Sequence, residues 1–341
     1  MKKRSYGILL LILCVILALA AVLSLGVGAV WLEPARVLDV LFRRADSATS
    51  PTDISIIWDL RLARILIGML IGAGLAASGA AFQGLFRNPL ADPFVVGASG
   101  GAALGATLAI TLGLGWSQRG LGPVPLAAFV GALVAVMLAY TVAEIGGSAP
   151  AIALLLAGSA LSTMFSAAVA LLMTISDRNL HQAYTWLLGG IGGRSWPHLA
   201  ASWPYLLFGS VGLWLFARPL DALAFSEETA QSLGLSVRRA RGAIVILATL
   251  ITASAVSVGG IIGFVGLIAP HIARFFVGSG HARLIPASAL FGALLMLLAD
   301  DIARAILAPL ELPVGIVTAM LGAPFFLYLL KSRQRDLGGR T

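Results

Sequence analysis

Long apolar runs, separated by short polar intervals, repeat along almost the whole chain. Each run is about as long as the roughly 20 residues that a helix needs to cross the hydrocarbon core of a bilayer. The pattern therefore predicts about ten membrane-spanning helices, which we place near residues 7–30, 62–84, 94–115, 124–143, 150–174, 199–217, 242–260, 262–278, 285–307 and 313–330. Only Gly259, Gly260 and Gly263 divide the seventh run from the eighth, and the direction of every later span depends on that break.

The composition supports a membrane protein. Hydrophobic residues make up 59% of the 341 residues and charged residues only 11%, whereas a soluble domain carries about 25% charged residues. The runs are also much longer than the roughly ten-residue alternating strands of a membrane β-barrel. We therefore predict an all-α, polytopic integral membrane helix bundle that forms a single domain over residues 1–341. Glycines four residues apart, which let membrane helices pack closely, occur at positions 68 and 72, 97 and 101, 101 and 105, and 259 and 263.

The distribution of charge indicates the orientation of the bundle. With ten spans and a cytoplasmic N-terminus, fourteen of the 23 basic residues fall on the cytoplasmic side and nine on the outer side. Basic residues favour the cytoplasmic side, so we expect both termini to lie inside. This arrangement explains the net charge of +8 without nucleic acid as a partner. It leaves unexplained a group of five outer arginines between the first two runs, Arg36, Arg43, Arg44, Arg61 and Arg64.

Common catalytic and metal-binding motifs are missing from the sequence. It has neither the GxxxxGKS/T phosphate loop nor the HExxH zinc motif, its four histidines are scattered, and Cys14 is its one cysteine. We therefore predict no catalytic residue, no metal site and no cofactor in this chain. Ionisable residues inside the spans are few, although Asp300, Asp301 and Arg304 share a helix face and can pair. A secondary transporter driven by protons, which needs acids near mid-membrane, stays open as an alternative class.

The longest polar interval on the cytoplasmic side is residues 221–242. Ser226 can cap a short helix, and the two glutamates that follow it suit the positive end of the helix dipole. Gly234 can end this helix in a left-handed conformation, after which a second short stretch, Leu235 to Arg241, leads into the next span. Such a projection suits the docking of another protein. The alternative is a plain loop whose arginines follow the distribution of positive charge.

Four segments together resemble the membrane permeases of bacterial ABC importers for vitamin B12, ferric siderophores and haem, the FecCD-like, type II family. The segments are residues 61–102, 226–241, 259–276 and 297–326. The resemblance implies a homodimer of ten-helix subunits surrounded by lipid in the bacterial inner membrane, two cytoplasmic ATPase subunits that hold ATP and Mg²⁺, and a periplasmic substrate-binding protein. It also implies that this chain is the translocation pore and not an enzyme, because the partner subunits hydrolyse the nucleotide.

The resemblance assigns roles to residues at both faces of the membrane. The family's coupling helices, which dock into the ATPase, match residues 226–241, with contacts expected from Glu228, Ala230, Leu233, Gly234 and Leu235. The outer arginines that bind acidic residues of the binding protein match Arg61, Arg64 and Arg304. The family usually has a proline between the first two arginines, where this sequence has Ala63. That departure affects the local backbone and leaves the charges in place.

The resemblance also locates the translocation pathway. Its cytoplasmic gate matches four residues small enough for two copies to close against each other, Gly146, Gly147, Ser148 and Ala149. The mouth of the pathway matches Trp186, Gly189, Gly190 and Arg194. A ferric siderophore is the expected cargo, with haem or cobalamin as alternatives. In each of these the metal travels inside a chelate, whereas an importer of bare metal ions needs clusters of histidine or carboxylate ligands.

Overall fold

The structure is a computed structural model that describes residues 3–28, 30–42, 50–114, 122–145, 151–176 and 179–338. All regular structure in these ranges is helical, which confirms the predicted all-α class. The α-helices are α1 (Lys3–Ser24), α2 (Pro34–Phe42), α3 (Pro51–Ile54), α4 (Ala63–Leu85), α5 (Ala98–Thr111), α6 (Pro123–Glu144), α7 (Ala151–Ile175), α8 (Leu180–Leu187), α9 (Trp196–Leu215), α10 (Ala217–Phe225), α11 (Glu227–Ser232), α12 (Val237–Gly259), α13 (Val265–Val277), α14 (His281–Ala305) and α15 (Val314–Gly338). A π-helical segment, Ser55–Leu62, joins α3 to α4, and a 3-10 helix, Pro93–Val96, precedes α5.

Several of these helices are suited to cross a membrane. Within the described ranges, seven are long and apolar enough to do so, and eight if α9 and α10, which are bent by 55° at their junction, form one span. Helices α5 and α13 are apolar but contain only 14 and 13 residues. At 1.5 Å per residue each is about 20 Å long, which is less than the roughly 30 Å of hydrocarbon. A bundle with several membrane spans is thus confirmed, and the number ten stays a prediction.

The break predicted between the seventh and eighth runs is present. Helix α12 ends at Gly259, and the chain then passes through Gly260 with φ of 69° and Phe264 with φ of 68° before α13 begins. A left-handed conformation is uncommon for a residue with a side chain, so Phe264 marks a defined turn. The carboxylate of Asp92 accepts hydrogen bonds from the backbone N–H groups of Phe94, at 2.9 Å, and Phe264. One acidic side chain therefore joins the two interruptions that precede α5 and α13.

Close packing of small residues holds the long helices together. Helix α4 is buried along most of its length and crosses α14 where a methyl group added to Gly72 would overlap the carbonyl oxygen of Gly292. Helices α5 and α6 meet in the same way at Gly101 and Gly105. The predicted packing role is therefore confirmed for Gly72, Gly101 and Gly105, three of the glycines spaced four residues apart. It is wrong for Gly263, because a Cβ at that position would face open space.

Helices α4 and α14 run antiparallel and define two ends of the bundle. At one end, which we call the arginine end, the first turn of α4 contacts the last turn of α14 through Arg64 and Asp300. At the other, the knob end, the last turn of α4 contacts the first residue of α14 where Gly84 packs on His281. The 23 residues of α4 separate the two ends by about 35 Å. Those predicted functional residues that the structure describes lie at these two ends.

Candidate functional site

An ion-pair network at the arginine end is centred on Arg64. The guanidinium Nε and Nη2 atoms donate hydrogen bonds to the two carboxylate oxygens of Asp300, at 3.1 Å and 2.9 Å. The remaining Nη1 donates to Glu311 Oε2 at 2.7 Å. Asp300 is buried, whereas Glu311 lies on the connection between α14 and α15 and is partly exposed. Arg64 therefore links α4 to α14 and to the connection that follows it.

Arg304 extends this network to α1. Its Nε lies 3.1 Å from an oxygen of Asp300, and its Nη2 contacts Asp301, so the predicted pairing on one helix face is confirmed. Its Nη1 donates to the carbonyl oxygen of Val27 at 2.8 Å, and its Nη2 donates to the hydroxyl of Ser24 at the same distance. The end of α1 is thereby attached to the last turn of α14.

Arg61 lies beside this network in the π-helical segment. Its two terminal nitrogens each donate at 2.6 Å to a carbonyl oxygen, those of Leu25 and Val30. The exposed fractions of Arg61, Arg64 and Arg304 are 8%, 8% and 3%. All three predicted docking arginines therefore come together, but their charges are directed into the protein. The sequence predicts the carboxylate partners of Arg304 but not the partners of Arg61 and Arg64, and docking stays a prediction.

Two cavities adjoin the network. The smaller, of about 210 Å³, is lined by all three arginines and by Glu311. The larger, of about 470 Å³, reaches from Arg64 to the end of α12 at Gly259. We call them the arginine cavity and the mouth cavity, and the contact between Arg64 and Glu311 borders both.

The mouth cavity contains most of the residues predicted at the mouth of the pathway. Trp186, Gly190 and Arg194 line it. Trp186 is only 5% exposed and is therefore not an anchor at the lipid surface. Gly189 is absent from the lining, because its backbone packs against Ile261 and its carbonyl oxygen accepts from Gly315 N–H at 3.1 Å. Three of the four residues are thus brought together, and Gly189 joins the mouth to α15.

Arg194 supplies a partly buried cation to the mouth cavity. Its Nε donates to the carbonyl oxygen of Val258 at 2.7 Å. Burial lowers the pKa of the Arg194 guanidinium to about 10, so the group is still charged at neutral pH. The part of the chain that the structure describes has no group of three or more His, Cys, Asp or Glu residues that could hold a metal ion. The charge of Arg194 suits the mouth to an anionic or polar solute.

A projection at the knob end, which we call the knob, consists of α10, α11 and the turn up to Ser236. The Ser226 hydroxyl accepts the N–H of Thr229 at 2.9 Å, which confirms the predicted cap. Gly234 has φ of 78°, its N–H donates to Gln231 O at 2.8 Å, and the next N–H, of Leu235, donates to Ala230 O at 3.0 Å. These two bonds form a Schellman motif, which satisfies the last carbonyl groups of α11. The predicted left-handed end of the helix is confirmed.

The stretch after Gly234 leads into the next long helix, as predicted. Residues 235–241 are not a second separate helix, because α12 runs without interruption from Val237 into the bundle. No proline separates Val237 from the apolar run, and arginine and alanine favour a continuous helix. The helix that pairs with α11 is instead α10, which precedes it. Of the residues expected to contact the ATPase, Glu228 and Leu233 are exposed, whereas Ala230 is buried.

Polar contacts attach the knob to the long helices. Asp221 of α10 accepts from the His281 backbone N–H at 2.9 Å and contacts its Nδ1 at 2.6 Å. Arg87, just after α4, donates to the carbonyl oxygen of Leu223 at 2.9 Å. On the other side, Glu227 pairs with Arg241 of α12. Local sequence patterns do not indicate the first two contacts, because the partners are 60 and 136 residues apart.

The predicted gate, Gly146, Gly147, Ser148 and Ala149, lies outside the described residues. The residue at the end of the preceding helix is described. Glu144 ends α6 and accepts two hydrogen bonds from Arg238 of α12, at 3.0 Å and 2.9 Å. The end of α6 is therefore attached to α12, the helix that follows the knob.

Comparison with known proteins identifies relatives of this chain. A Fe(3+)-citrate import system permease of Bacillus subtilis is 39% identical over 334 residues, which are 98% of each chain. A cobalamin import system permease of Halobacterium salinarum is 46% identical over 208 residues, which are 61% of this chain and 56% of that relative. A solved structure of a metal-chelate type ABC transporter in an inward-facing conformation is 33% identical, with a TM-score of 0.83 over 96% of this chain and 99% of the other.

The family itself follows from a profile match. The profile of the FecCD transport family matches residues 15–332, which include both ends of the bundle described above. The similarity therefore covers the arginine network, the mouth cavity and the knob, and is not confined to one segment. The chain belongs to the FecCD transport family.

Proposed function

We propose that this chain is the transmembrane permease of an ATP-driven importer that moves a ferric chelate across the bacterial inner membrane. The observation that carries the proposal is the similarity to the Fe(3+)-citrate import permease, because it extends over 98% of both chains. Membership of the FecCD family supports the transporter class. Haem or cobalamin is the second candidate cargo, since a cobalamin import permease is similar over 61% of the chain.

The proposal includes an orientation and a set of partners. Ten helices cross the membrane, with the short α5 and α13 among them, and both termini lie in the cytoplasm. The knob end is then cytoplasmic and the arginine end is periplasmic. Two copies of the chain assemble within the lipid, two ATPase subunits dock at the knob end, and a substrate-binding protein docks at the arginine end. The chain holds no cofactor of its own, since ATP and Mg²⁺ bind to the ATPase.

We assign coupling to the knob. Exposed Leu233 and Glu228 offer an apolar and an acidic contact to the ATPase. Asp221 and Arg87 attach the knob to α14 and α4, so a displacement of the knob also displaces helices that extend to the arginine end. Residues 146–149 are assigned the cytoplasmic gate on the family resemblance, because they lie between α6 and α7 in the sequence and are small enough for two copies to close against each other.

We assign docking of the binding protein to Arg61, Arg64 and Arg304. They line the arginine cavity together, and guanidinium groups form strong, often bidentate contacts with carboxylates. An acidic side chain of the binding protein can reach this cavity past Glu311, which is 47% exposed. The cargo then enters the mouth cavity, where Arg194 attracts an anionic chelate without competing for its iron.

Transport by reconstituted protein tests this proposal. The permease, its ATPase and its binding protein are placed in proteoliposomes, and uptake of ferric citrate, a ferric hydroxamate, haem and cobalamin is measured with ATP inside. We expect ATP-dependent uptake of a ferric chelate that a proton ionophore does not stop. Uptake of haem or cobalamin alone supports the second candidate. Uptake that persists without ATP and collapses with the proton gradient refutes the ATP-driven class in favour of a secondary transporter.

A further inference from the structure

Arg64 has one sealed side and one accessible side. The side that faces Asp300 is closed, since the side chain of Asp300 is 2% exposed and that of Arg64 is 9% exposed. The side that faces Glu311 is accessible, since Glu311 is 47% exposed. Because Glu311 is half exposed, its carboxylate can be solvated by water when it leaves Arg64. The carboxylate of Glu311 can therefore be exchanged for another carboxylate, whereas that of Asp300 cannot.

Glu311 also touches the wall of the mouth cavity. It lines both the arginine cavity and the mouth cavity. Its Oε2 lies only 3.2 Å from the position that a Cβ would take on Gly192, in the turn between α8 and α9. The neighbouring Leu312 is held by a hydrogen bond of 3.0 Å from its N–H to Ala303 O. A movement of the Glu311 side chain away from Arg64 therefore alters the border of the mouth cavity.

The charges at the arginine end favour the replacement of one carboxylate by another over the entry of an additional carboxylate. The three arginines carry three positive charges, and the three carboxylates that pair with Arg64 and Arg304, those of Asp300, Asp301 and Glu311, carry three negative charges. A further carboxylate that enters the arginine cavity would give this cluster a net negative charge, which is costly where the charge is removed from water. Asp300 is buried and Asp301 is also held by the Ser24 hydroxyl, so Glu311 is the carboxylate that can leave.

We propose that Glu311 occupies the place on Arg64 that an acidic side chain of the binding protein takes on docking, so that docking releases Glu311 from the turn at the mouth cavity. This inference rests on the docking role proposed for the three arginines. It adds a consequence to that role, because the ion pair exchanged on docking is the same one that borders the mouth. Binding of the partner and opening of the mouth are thereby coupled through one guanidinium.

The test compares permease variants in nanodiscs for their affinity towards the binding protein. Glu311→Gln keeps the shape of the side chain and removes the competing charge, so it is expected to bind the binding protein about fivefold more tightly, because a charge-assisted hydrogen bond to Arg64 is lost in the free state only. Gly192→Ala keeps every charge and presses on Glu311, and it is expected to shift the affinity in the same direction by a smaller factor. Unchanged or weaker binding by Glu311→Gln overturns the inference.

Glu33→Gln is the matched control. Glu33 is an exposed glutamate between α1 and α2, and its substitution removes the same charge. If Glu33→Gln tightens binding as much as Glu311→Gln does, the tighter binding results from the loss of negative charge in general, and the inference is wrong.

Arg64→Gln separates the inference from the docking proposal. Docking by Arg64 is refuted if that variant binds normally, whereas the exchange alone is refuted if binding weakens and Glu311→Gln still tightens it in the Arg64→Gln background.

Discussion

The Schellman motif of the knob offers a test of coupling with an internal control. Gly234 has φ of 78°, and a Cβ at this position would meet no atom within 4 Å. A substitution there changes the backbone energy without a steric clash. Gly113, which follows α5, has φ of 70°, an equally open Cβ position and the same two hydrogen bonds, from Gly113 N–H to Ile110 O and from Leu114 N–H to Ala109 O, each 3.0 Å.

The cost of a side chain at either glycine follows from its left-handed backbone. A residue with a Cβ is disfavoured there by roughly 1–2 kcal/mol, and a β-branched residue belongs at the upper end of this range. A free-energy change of that size shifts an equilibrium by about 5- to 30-fold. If the ATPase binds the knob only with this turn intact, Gly234→Val should weaken ATPase binding by about that factor. Gly113→Val should leave the same affinity unchanged, because Gly113 does not belong to the knob. Asn179, just before α8, donates to Ile110 O, so Gly113 lies near the helix that carries Trp186 of the mouth cavity.

Two measurements decide the outcome. Affinity between the ATPase and the permease is measured in nanodiscs, and the number of ATP molecules hydrolysed per chelate transported is measured in proteoliposomes. We expect weaker ATPase binding and a higher ATP cost per chelate for Gly234→Val only. Normal values for that variant, or an equal loss for Gly113→Val, would show that the turn at Gly234 has no special part in coupling.

Further variants test the remaining assignments. Asp221→Asn weakens the contact with His281, so transport should fall severalfold while ATP hydrolysis continues, as measured in proteoliposomes. Arg194→Gln removes the cation of the mouth cavity, so uptake of an anionic ferric citrate should fall more than uptake of an uncharged hydroxamate. Gly72→Leu introduces overlap where α4 crosses α14, which costs about 1–3 kcal/mol or more, and should lower the melting temperature of the purified protein by about 5 °C. Ser148→Cys, without Cys14, should form a disulfide between two subunits when the gate is closed, and its absence in every nucleotide state would place the gate elsewhere.

Features that depend on neighbours in sequence could be predicted. Ser226 caps the residues that directly follow it, and Gly234 ends the same helix, so their roles are encoded within a few positions. The break at Gly259 and Gly260 was predicted on the same basis. Hydropathy did not reveal that α5 and α13 are short, because apolar residues continue through the interruptions at Phe94 and Phe264 without a change of composition.

Features that depend on distant pairs could not be predicted. Arg64 and Asp300 are 236 residues apart, and Arg64 and Glu311 are 247 residues apart. The pattern of apolar runs shows that these residues lie at the same face of the membrane, but it does not show which helices are adjacent. The five outer arginines were therefore noticed as an excess of charge. Asp300 and Asp301 were assigned to Arg304 on their own helix, whereas no carboxylate was assigned to Arg64.

Helix α4 connects the arginine end of the bundle to the knob end. Arg64 in its first turn carries the exchangeable pair with Glu311, and Arg87 just beyond its last turn bonds to the knob. Between them the helix is packed backbone to backbone on α14 at Gly72 and Gly292, so bending at this crossing would produce overlap. Such close packing favours a movement of the two helices together. If the binding protein docks at Arg64 and the ATPase at the knob, as we propose, both partners act on this pair of helices, and the binding of each should alter the affinity of the other by an equal free energy.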